Sequence, residues 1–365
     1  MKTKLLTLFI GFTYTVVAQN SPDRQTQFEK YRLLAEKETA APAKLILLDS
    51  VLKYVDKSDA EVYSTNAFTY IDIAEELKEY EKMANAAIKV FYTVNIVQND
   101  NQKALKLIDK VKTYEPFIKD SFLLGSIYLK RGGAFAGNNP NEAIKNYSRA
   151  IELFGRKDSI FVADAYFFRA QQKTDLSDFI GSIKDYEIAS TYYENLKDFE
   201  YATHALTGIA VVYGMNGFLD KAIKEREKCI SFLKKNNLPE FIPAQLCNNA
   251  TDYGKMGNIA LQEKNLLEAI GQINKLGEKA IPMTKFENLI LLQSFYHKQN
   301  MPEKHAYYFL LLKEFEPQTA ENNFYKAHYL DAESNLFALQ NKLGKAIERN
   351  LQALELAKKI NLKEF

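Results

Sequence analysis

The segment Asn141-Glu-Ala-Ile-Lys-Asn-Tyr-Ser-Arg-Ala-Ile-Glu-Leu153 shows the pattern that decides the fold of this chain. Its apolar residues recur at spacings of three and four, which place them on one face of an α-helix. These residues are Ala143, Ile144, Tyr147, Ala150 and Ile151, followed by Phe154. No segment shows the alternation expected of a β-strand, so the pattern predicts an all-helical protein.

Short breaks separate many such segments. Glycine and proline number only 15 and 9 among 365 residues, and they cluster between the periodic segments. The chain therefore reads as helix, short turn, helix throughout. Around the opening segment, Leu124-Gly125 precedes Tyr128, and Ala143, Tyr147 and Ala150 follow.

This order of residues resembles the tetratricopeptide repeat, a 34-residue helix-turn-helix unit with the pattern W-x2-L-G-x2-Y followed by A-x3-F and a further alanine. Similar sets begin near Asn85, Ile118, Ala163, Thr203, Ala250, Phe286 and Ala327, at intervals of 33, 45, 40, 47, 36 and 41 residues. Six residues in excess around Gly132 and Gly133 predict an extended turn there. The resemblance implies an all-α, right-handed α-solenoid of antiparallel helix pairs.

The predicted domain organisation has three parts. Residues 1–18 resemble a signal peptide, with Lys2 and Lys4 before an apolar run at 5–17 and a small-residue cleavage site at Ala18. The run is too short to span a bilayer, so cleavage is favoured over retention as an anchor. Residues 19–84 predict an N-terminal helical cap or atypical repeats, with helices at 23–38, 42–54 and 60–80. Residues 85–365 predict about seven degenerate helix pairs, the last followed by residues 360–365, which resemble the approach to a further pair.

Composition limits the classes of partner. The chain is 47% hydrophobic and 26% charged, as in globular proteins. Loss of Lys2 and Lys4 with the signal leaves 46 basic and 46 acidic residues, so no general basic field for nucleic acid exists. Cys229 and Cys247 allow one disulfide in an oxidising compartment, although free buried thiols are favoured. The mature chain is expected to be periplasmic or secreted.

Signatures of catalysis and of metal binding are missing from the sequence. The four histidines, His204, His297, His305 and His328, form no helical metal-binding pair, although His297 and His305 could meet across a hairpin. The glycines within residues 131–140 follow a helix and lack the lysine of a phosphate-binding loop. The sequence therefore predicts no catalytic residue, no metal, no cofactor and no small-molecule ligand.

Recognition is the function that the family resemblance implies. In tetratricopeptide proteins the first helix of each pair lines a concave surface, and some members clamp a terminal carboxylate with lysines and asparagines. The matching positions here do not reproduce that clamp, so a mixed polar and aromatic groove for a peptide or protein segment is expected. Its predicted lining residues are Phe122, Ser126, Phe167, Phe168, Gln171, Lys255 and Asn258.

Three functional hypotheses follow. The first is an exported interaction scaffold that binds a protein or peptide. The second is the sensor portion of a membrane-bound transcriptional regulator or histidine kinase, truncated before its transmembrane helix, because exported degenerate repeats resemble the sensing halves of bacterial signalling proteins. The third, a hydrolase on a helical toroid, requires paired acids that face one cavity.

Overall fold

The computed structural model describes residues 22–157, 159–320 and 322–360, and within these ranges every long regular element is a helix. The predicted signal peptide at residues 1–18 and residues 361–365 lie outside the described residues. The α-helices are α1 Pro22–Lys37, α2 Ala41–Tyr54, α3 Ala60–Glu76, α4 Tyr80–Tyr92, α5 Asn101–Lys112, α6 Ser121–Phe135, α7 Pro140–Phe154, α8 Ile160–Asp175, α9 Phe179–Asn195, α10 Phe199–Met215, α11 Leu219–Lys235, α12 Ile242–Lys255, α13 Ile259–Leu276, α14 Pro282–Lys298, α15 Pro302–Leu312, α16 Glu316–Thr319, α17 Asn323–Leu339 and α18 Leu343–Lys359.

Successive helices form antiparallel pairs that repeat at a nearly constant spacing. The second helices of six pairs begin at Pro140, Phe179, Leu219, Ile259, Pro302 and Leu343, at intervals of 39, 40, 40, 43 and 41 residues. The predicted all-α solenoid of helix pairs is confirmed. Its repeat is about 40 residues long, however, because its helices of 11–18 residues include several longer than the 34-residue unit allows.

Most connections between helices contain one residue in the left-handed region. Ser177 has φ 64° in the turn between α8 and α9, and Gly217 has φ 76° between α10 and α11. In the first turn the Asp178 N–H donates to the Lys173 carbonyl at 2.8 Å, and the Ser177 N–H donates to the Thr174 carbonyl at 2.9 Å. These two bonds satisfy carbonyls at the helix end in the manner of a Schellman motif. A short turn can therefore reverse the chain.

The turn between α6 and α7 is shorter than the sequence predicts. Gly132 and Gly133 lie inside α6, which continues to Phe135, and only residues 136–139 separate the two helices. A Cβ on Gly132 would lie 2.5 Å from Cε1 of Tyr147. The excess residues thus lengthen a helix whose glycine admits a tyrosine ring from α7. The prediction of an extended turn is wrong for this reason.

The predicted repeat register is correct in four of the seven units and displaced in the other three, at Asn85, Ile118 and Ala250. Four predicted unit starts lie at the same position, twelve residues before the end of the first helix of their pair. They are Ala163, Thr203, Phe286 and Ala327. Ala250 lies only five residues before the end of α12, and Pro243 occupies the equivalent position. The uneven predicted intervals of 47 and 36 residues on either side of Ala250 come from this shift of two helical turns.

The chain divides into two compact units, Met1–Ala205 and Leu206–Phe365, with the division inside α10. Each unit contains its own buried apolar clusters, which include Val90 and Tyr147 in the first and Leu266 and Phe286 in the second. The predicted boundary between residues 84 and 85 stays a prediction. No described helix combines the length and apolar character needed to cross a membrane.

The two cysteines are free and buried in the second unit. Cys247 Sγ accepts a hydrogen bond from Nδ2 of Asn288 at 3.3 Å, and Cys229 Sγ lies 4.0 Å from Oγ1 of Thr207. Burial raises the pKa of Cys229 to about 11 and that of Cys247 to about 12. Both thiols therefore stay protonated at neutral pH and act as small apolar groups.

Candidate functional site

In the compact unit that ends at Ala205, the first helix of each of three helix pairs carries a polar side chain that is partly exposed. Lys130 on α6, Asp164 on α8 and His204 on α10 are each partly exposed, yet burial shifts the pKa of each one. A side chain that is surrounded by protein and still reaches solvent lies in a recess. We refer to Lys130, Asp164, Tyr193, Tyr201 and His204 as the inner polar face.

Asp164 is the carboxyl group of this face. Desolvation raises its pKa to about 6, against the opposing effects of a hydrogen bond from Tyr193 and of the charge on Lys130. Tyr193 reaches across from α9 and donates from Oη to Oδ1 of Asp164 at 2.6 Å. One carboxylate oxygen is thereby fixed in position, and the group retains further acceptor capacity for a ligand.

Lys130 is the cation of the face, and Asp164 is the charged group near it. Burial lowers the pKa of its ammonium group, and the nearby charge of Asp164 opposes that shift. Among the residues that the structure describes, Lys130 forms neither an ion pair nor a side-chain hydrogen bond. A desolvated ammonium group of this kind is stabilised by any carboxylate or carbonyl oxygen that a ligand brings.

Aromatic rings form the wall of the inner polar face. The ring centroids of Tyr193 and Tyr201 lie 5.4 Å apart, and Tyr201 meets the His204 ring edge to face at 6.0 Å. Phe167 packs edge to face against Tyr193 at 6.4 Å. Burial lowers the pKa of His204, although Asp198 opposes the shift, so the imidazole is neutral at pH 7. Tyr193 is fully buried, whereas Tyr201 and His204 are partly exposed and offer apolar contact.

The second unit has a similar arrangement on α14 and α17. Burial lowers the pKa of His328 to about 4, and the Phe324 ring meets the imidazole edge to face at 4.5 Å. Burial raises the pKa of Asp331, against the opposing charge of His297. Gln293 is fully buried, and neither polar atom of its side chain has a hydrogen-bond partner among the described residues.

Two predicted lining residues on α6 lie elsewhere. Phe122 packs into an aromatic cluster, with its centroid 4.9 Å from that of Phe154 and 5.6 Å from that of Phe161. Ser126 is only 6% exposed, and its hydroxyl donates to the Phe122 carbonyl at 3.0 Å. Phe122 is partly exposed and Ser126 is buried, and the prediction that they line a groove stays a prediction.

The predicted residues on α8 lie closer to the inner polar face. Phe167 contacts Tyr193, and it also packs edge to face against Phe168 at 5.5 Å. Phe168 instead stacks on Tyr147 of α7 at 6.1 Å, inside the helix packing. Gln171 is partly exposed one turn after Phe167. Phe167 thus contacts Tyr193, which in turn donates a hydrogen bond to Asp164.

The predicted residues of the second unit take part in local structure. Lys255 is exposed and forms an ion pair with Asp252, with Nζ 3.1 Å from Oδ1. Asn258 caps α13 by accepting a hydrogen bond from the Leu261 N–H at 3.1 Å. The sequence analysis chose Lys255 and Asn258 because its repeat register is displaced at Ala250. It therefore selected residues at the end of α12 instead of residues in the middle of that helix.

The histidine pair that the sequence predicts lies between α14 and α15. The rings of His297 and His305 do meet across the hairpin, with centroids 5.8 Å apart. The His305 ring is held by its Nδ1, which lies 2.8 Å from the Gln293 carbonyl oxygen. No group of three or more His, Cys, Asp or Glu side chains among the described residues has the arrangement of a metal site.

Solved structures resemble the chain in fold. Aspartyl phosphate phosphatase F from Bacillus subtilis matches with a TM-score of 0.55 and 13% identity over 91% of this chain and 93% of that chain. A STAND signal transduction ATPase with a tetratricopeptide repeat sensor, from Pyrococcus horikoshii, matches with a TM-score of 0.60 and 13% identity over 94% of this chain and 54% of that chain. Apo RapI matches with a TM-score of 0.52 and 11% identity over 75% and 98%.

The sequence itself matches no protein-family model and no curated protein. At 11–13% identity the structural matches show the fold alone. The predicted resemblance to tetratricopeptide-repeat proteins is confirmed at that level.

Proposed function

We propose that this protein is an interaction scaffold that binds an extended peptide or protein segment at its inner polar face. The observation that carries the proposal is the half-buried Lys130 side chain, which forms no ion pair among the described residues although Asp164 lies near it. Leaving such a group unpaired is unfavourable, and a peptide carboxylate or carbonyl would relieve that cost. Binding, not catalysis, is the chemistry that this arrangement favours.

The other groups of the face complement an extended chain. Asp164 accepts one hydrogen bond from Tyr193 and has free lone pairs for a peptide N–H. The partly exposed Tyr201 and His204 rings offer apolar contact to a side chain of the segment. An extended segment presents N–H, C=O and side-chain groups in alternation, which suits a face with both polar and aromatic members.

A sensor portion of a larger signalling protein is the second candidate. It is supported by the STAND ATPase, whose repeat region is described as a sensor and of which the match spans 54%. In that case the segment bound at the inner polar face would be a regulatory ligand. Export is a further part of the proposal, and it rests on the sequence of residues 1–18 alone.

Peptide selection followed by matched substitutions tests the proposal. A random peptide library is displayed on phage and selected on residues 19–365, and a recovered peptide is titrated against variants by calorimetry. Lys130→Met keeps the length of the side chain and removes its charge, so we expect a loss of affinity of about tenfold or more, as for loss of a charge-assisted bond. Asp164→Asn is expected to weaken binding less, because the amide still accepts a hydrogen bond.

The control is Lys145→Met, which removes an exposed lysine of α7 that forms an ion pair with Glu142, three residues before it. This variant should bind the selected peptide as the unsubstituted protein does. Equal affinities for Lys130→Met and Lys145→Met, with both variants folded by circular dichroism, would contradict the proposed site.

A further inference from the structure

The second helix α15 carries apolar side chains that its own unit leaves exposed. Tyr307, Leu310 and Leu311 lie three and four residues apart, so they share one side of the helix. Tyr307 is 57% exposed, Leu310 63% and Leu311 37%. Leu267 of α13, 39% exposed, lines the same cleft as Tyr307, with a volume of about 400 Å³. We call Leu267, Tyr307, Leu310 and Leu311 the α15 face.

The α15 face stands where other helix pairs carry polar residues. Tyr307 lies five residues after the first residue of its helix, and that position is exposed in all six pairs of the 40-residue repeat. The pairs that have lysine there contribute Lys145, Lys184, Lys224 and Lys264. Leu310 and Leu311 correspond in the same way to Glu227 and Lys228 of α11. Thus α15 exposes three neighbouring apolar side chains at positions where α11 exposes only charged ones.

The size of the α15 face suits a small protein interface. The exposed fractions of its four side chains correspond to roughly 400 Å² of apolar surface, within the range of about 300–600 Å² for the largest patch on a monomer. Apolar atoms make up about 65% of a homodimer interface, so such a patch fits a contact of roughly 600 Å² on each copy. A contact of that size lies at the lower end of specific interfaces, where micromolar affinities are usual.

Charges of opposite sign flank the α15 face at its two ends. Glu303 is exposed in the first turn of α15, and the exposed Lys313 directly follows the last residue of the helix. Neither side chain forms an ion pair among the described residues. Two copies of α15 that pack antiparallel bring Glu303 of each copy to Lys313 of the other, and place Tyr307 against Leu310. The face is therefore complementary to itself in charge as well as in apolar contact.

We propose that the α15 face is the two-fold contact between two copies of this chain. A two-fold axis between Tyr307 and Leu310 makes each of these residues contact the other one in the second copy. Such a contact uses the same surface on both copies, so it closes as a dimer and does not extend into a filament. A second copy supplies the opposite charges at both ends by symmetry. The inference goes beyond peptide binding at the inner polar face and does not depend on it.

Sedimentation velocity of residues 19–365, from low micromolar to several hundred micromolar concentration, tests the inference. We expect a monomer–dimer equilibrium with a micromolar dissociation constant. Tyr307→Ala should weaken dimerisation about tenfold or more, because the ring is lost from both copies. The matched control is Phe218→Ala, which removes an aromatic side chain of the same unit that is 55% exposed and outside the α15 face. It should leave the dissociation constant unchanged, with both variants folded by circular dichroism.

Charge reversal tests the antiparallel geometry. Glu303→Lys alone sets lysine against Lys313 of the second copy, and Lys313→Glu alone sets glutamate against Glu303. We expect each variant to dimerise about fivefold more weakly, because an exposed charge contact is reversed twice in each dimer. An equimolar mixture of the two variants should recover the original affinity, since both contacts then join opposite charges.

Several results would overturn the inference. A chain that stays monomeric at the highest concentration has no such contact, and equal losses in Tyr307→Ala and Phe218→Ala would place the contact elsewhere. A mixture of the two charge variants that dimerises no better than either alone would rule out the antiparallel arrangement. Another occupant is indicated if the chain stays monomeric and instead sediments with phosphatidylglycerol vesicles, or binds an amphipathic helical peptide, in a manner that Tyr307→Ala abolishes.

Discussion

Two adjacent glycines on α6 have opposite roles at the scale of single residues. A Cβ on Gly132 would lie 2.5 Å from the Tyr147 ring, whereas a Cβ on Gly133 would meet only the Tyr147 hydroxyl at 4.0 Å. Tyr147 is fully buried and cannot move aside without loss of packing. Glycine is thus required at position 132 because the Tyr147 ring packs against its backbone, whereas position 133 has room for a Cβ.

We expect Gly132→Ala to lower the free energy of unfolding by about 1–3 kcal/mol, the range for an overpacked core. Gly133→Ala is the control and should raise it by about 0.5–1 kcal/mol, because alanine favours the helix. Urea denaturation followed by circular dichroism measures both. Equal effects of the two substitutions would show that Tyr147 does not pack at Gly132.

Asp164 provides a test of the inner polar face by titration. Burial raises its pKa to about 6 in the folded protein, above the value of about 4 in an unfolded chain. The folded state therefore binds the proton more tightly, and its contribution to stability is present at acid pH and is lost as pH rises through 6. Asp164→Asn, which cannot ionise, should be more stable than the unsubstituted protein at pH 8, with the advantage disappearing by pH 4.

Carboxyl NMR measures the same group directly. Tyr193→Phe removes the hydrogen bond that favours the ionised carboxylate, so we expect the pKa of Asp164 to rise further in that variant. An apparent pKa near 4 in the unsubstituted protein would mean that Asp164 is fully solvated and that the face is not a recess.

At the scale of elements, most turns between helices contain one left-handed residue, and that residue is not always glycine. Ser177 and Gly217 occupy equivalent positions at φ 64° and 76°. A side chain in this conformation costs about 1 kcal/mol or more relative to glycine. Ser177→Gly should therefore stabilise the protein by about 1 kcal/mol, and Gly217→Ala should destabilise it by a similar amount. Thermal unfolding measures the two shifts, and shifts of the same sign would contradict the assignment.

Buried ion pairs also join helices. Nη1 of Arg226 on α11 lies 2.6 Å from Oδ2 of Asp252 on α12, and both side chains are almost completely buried. Arg226→Leu leaves a buried carboxylate with only Lys255 as a partner, so we expect a loss of about 3–5 kcal/mol in unfolding free energy. The double change Arg226→Leu with Asp252→Leu should recover much of this loss.

An exposed pair serves as the control for that measurement. Nζ of Lys359 lies 2.9 Å from Oε1 of Glu355 on α18, and both side chains are largely exposed. Lys359→Ala should change stability by less than about 1 kcal/mol, as is usual for surface pairs. A double variant of Arg226 and Asp252 as unstable as the single variant would show that packing, not the lone charge, causes the loss.

At the scale of the whole molecule, each compact unit has its own core, and each helix pair in a solenoid packs mainly on its neighbours. Local damage should therefore stay local. We expect Arg226→Leu to accelerate amide hydrogen exchange in α11–α13 and to leave rates in α6–α8 unchanged, with the reverse pattern for Gly132→Ala. Uniform acceleration by either change, measured by mass spectrometry, would instead indicate a single cooperative unit.

The sequence allowed the fold to be predicted more fully than the candidate site. Helices, turns and the small residues that face aromatic ones follow from spacing within a few residues, as at Ala143 and Tyr147, and this information is local. The position of Lys130 was missed because it depends on where α6 ends. A reading that continued α6 through Gly132 and Gly133 would have found it.

The sequence by itself determined that the chain is a series of helix pairs. The spacing of its apolar residues has the 3.6-residue period of a helix, and small residues recur where two helices cross. Only the tertiary structure decided the 40-residue register and the members of the inner polar face. Helix length is not specified locally: α6 runs past Gly132 because the Tyr147 ring, supplied by the next helix, packs where a turn was expected.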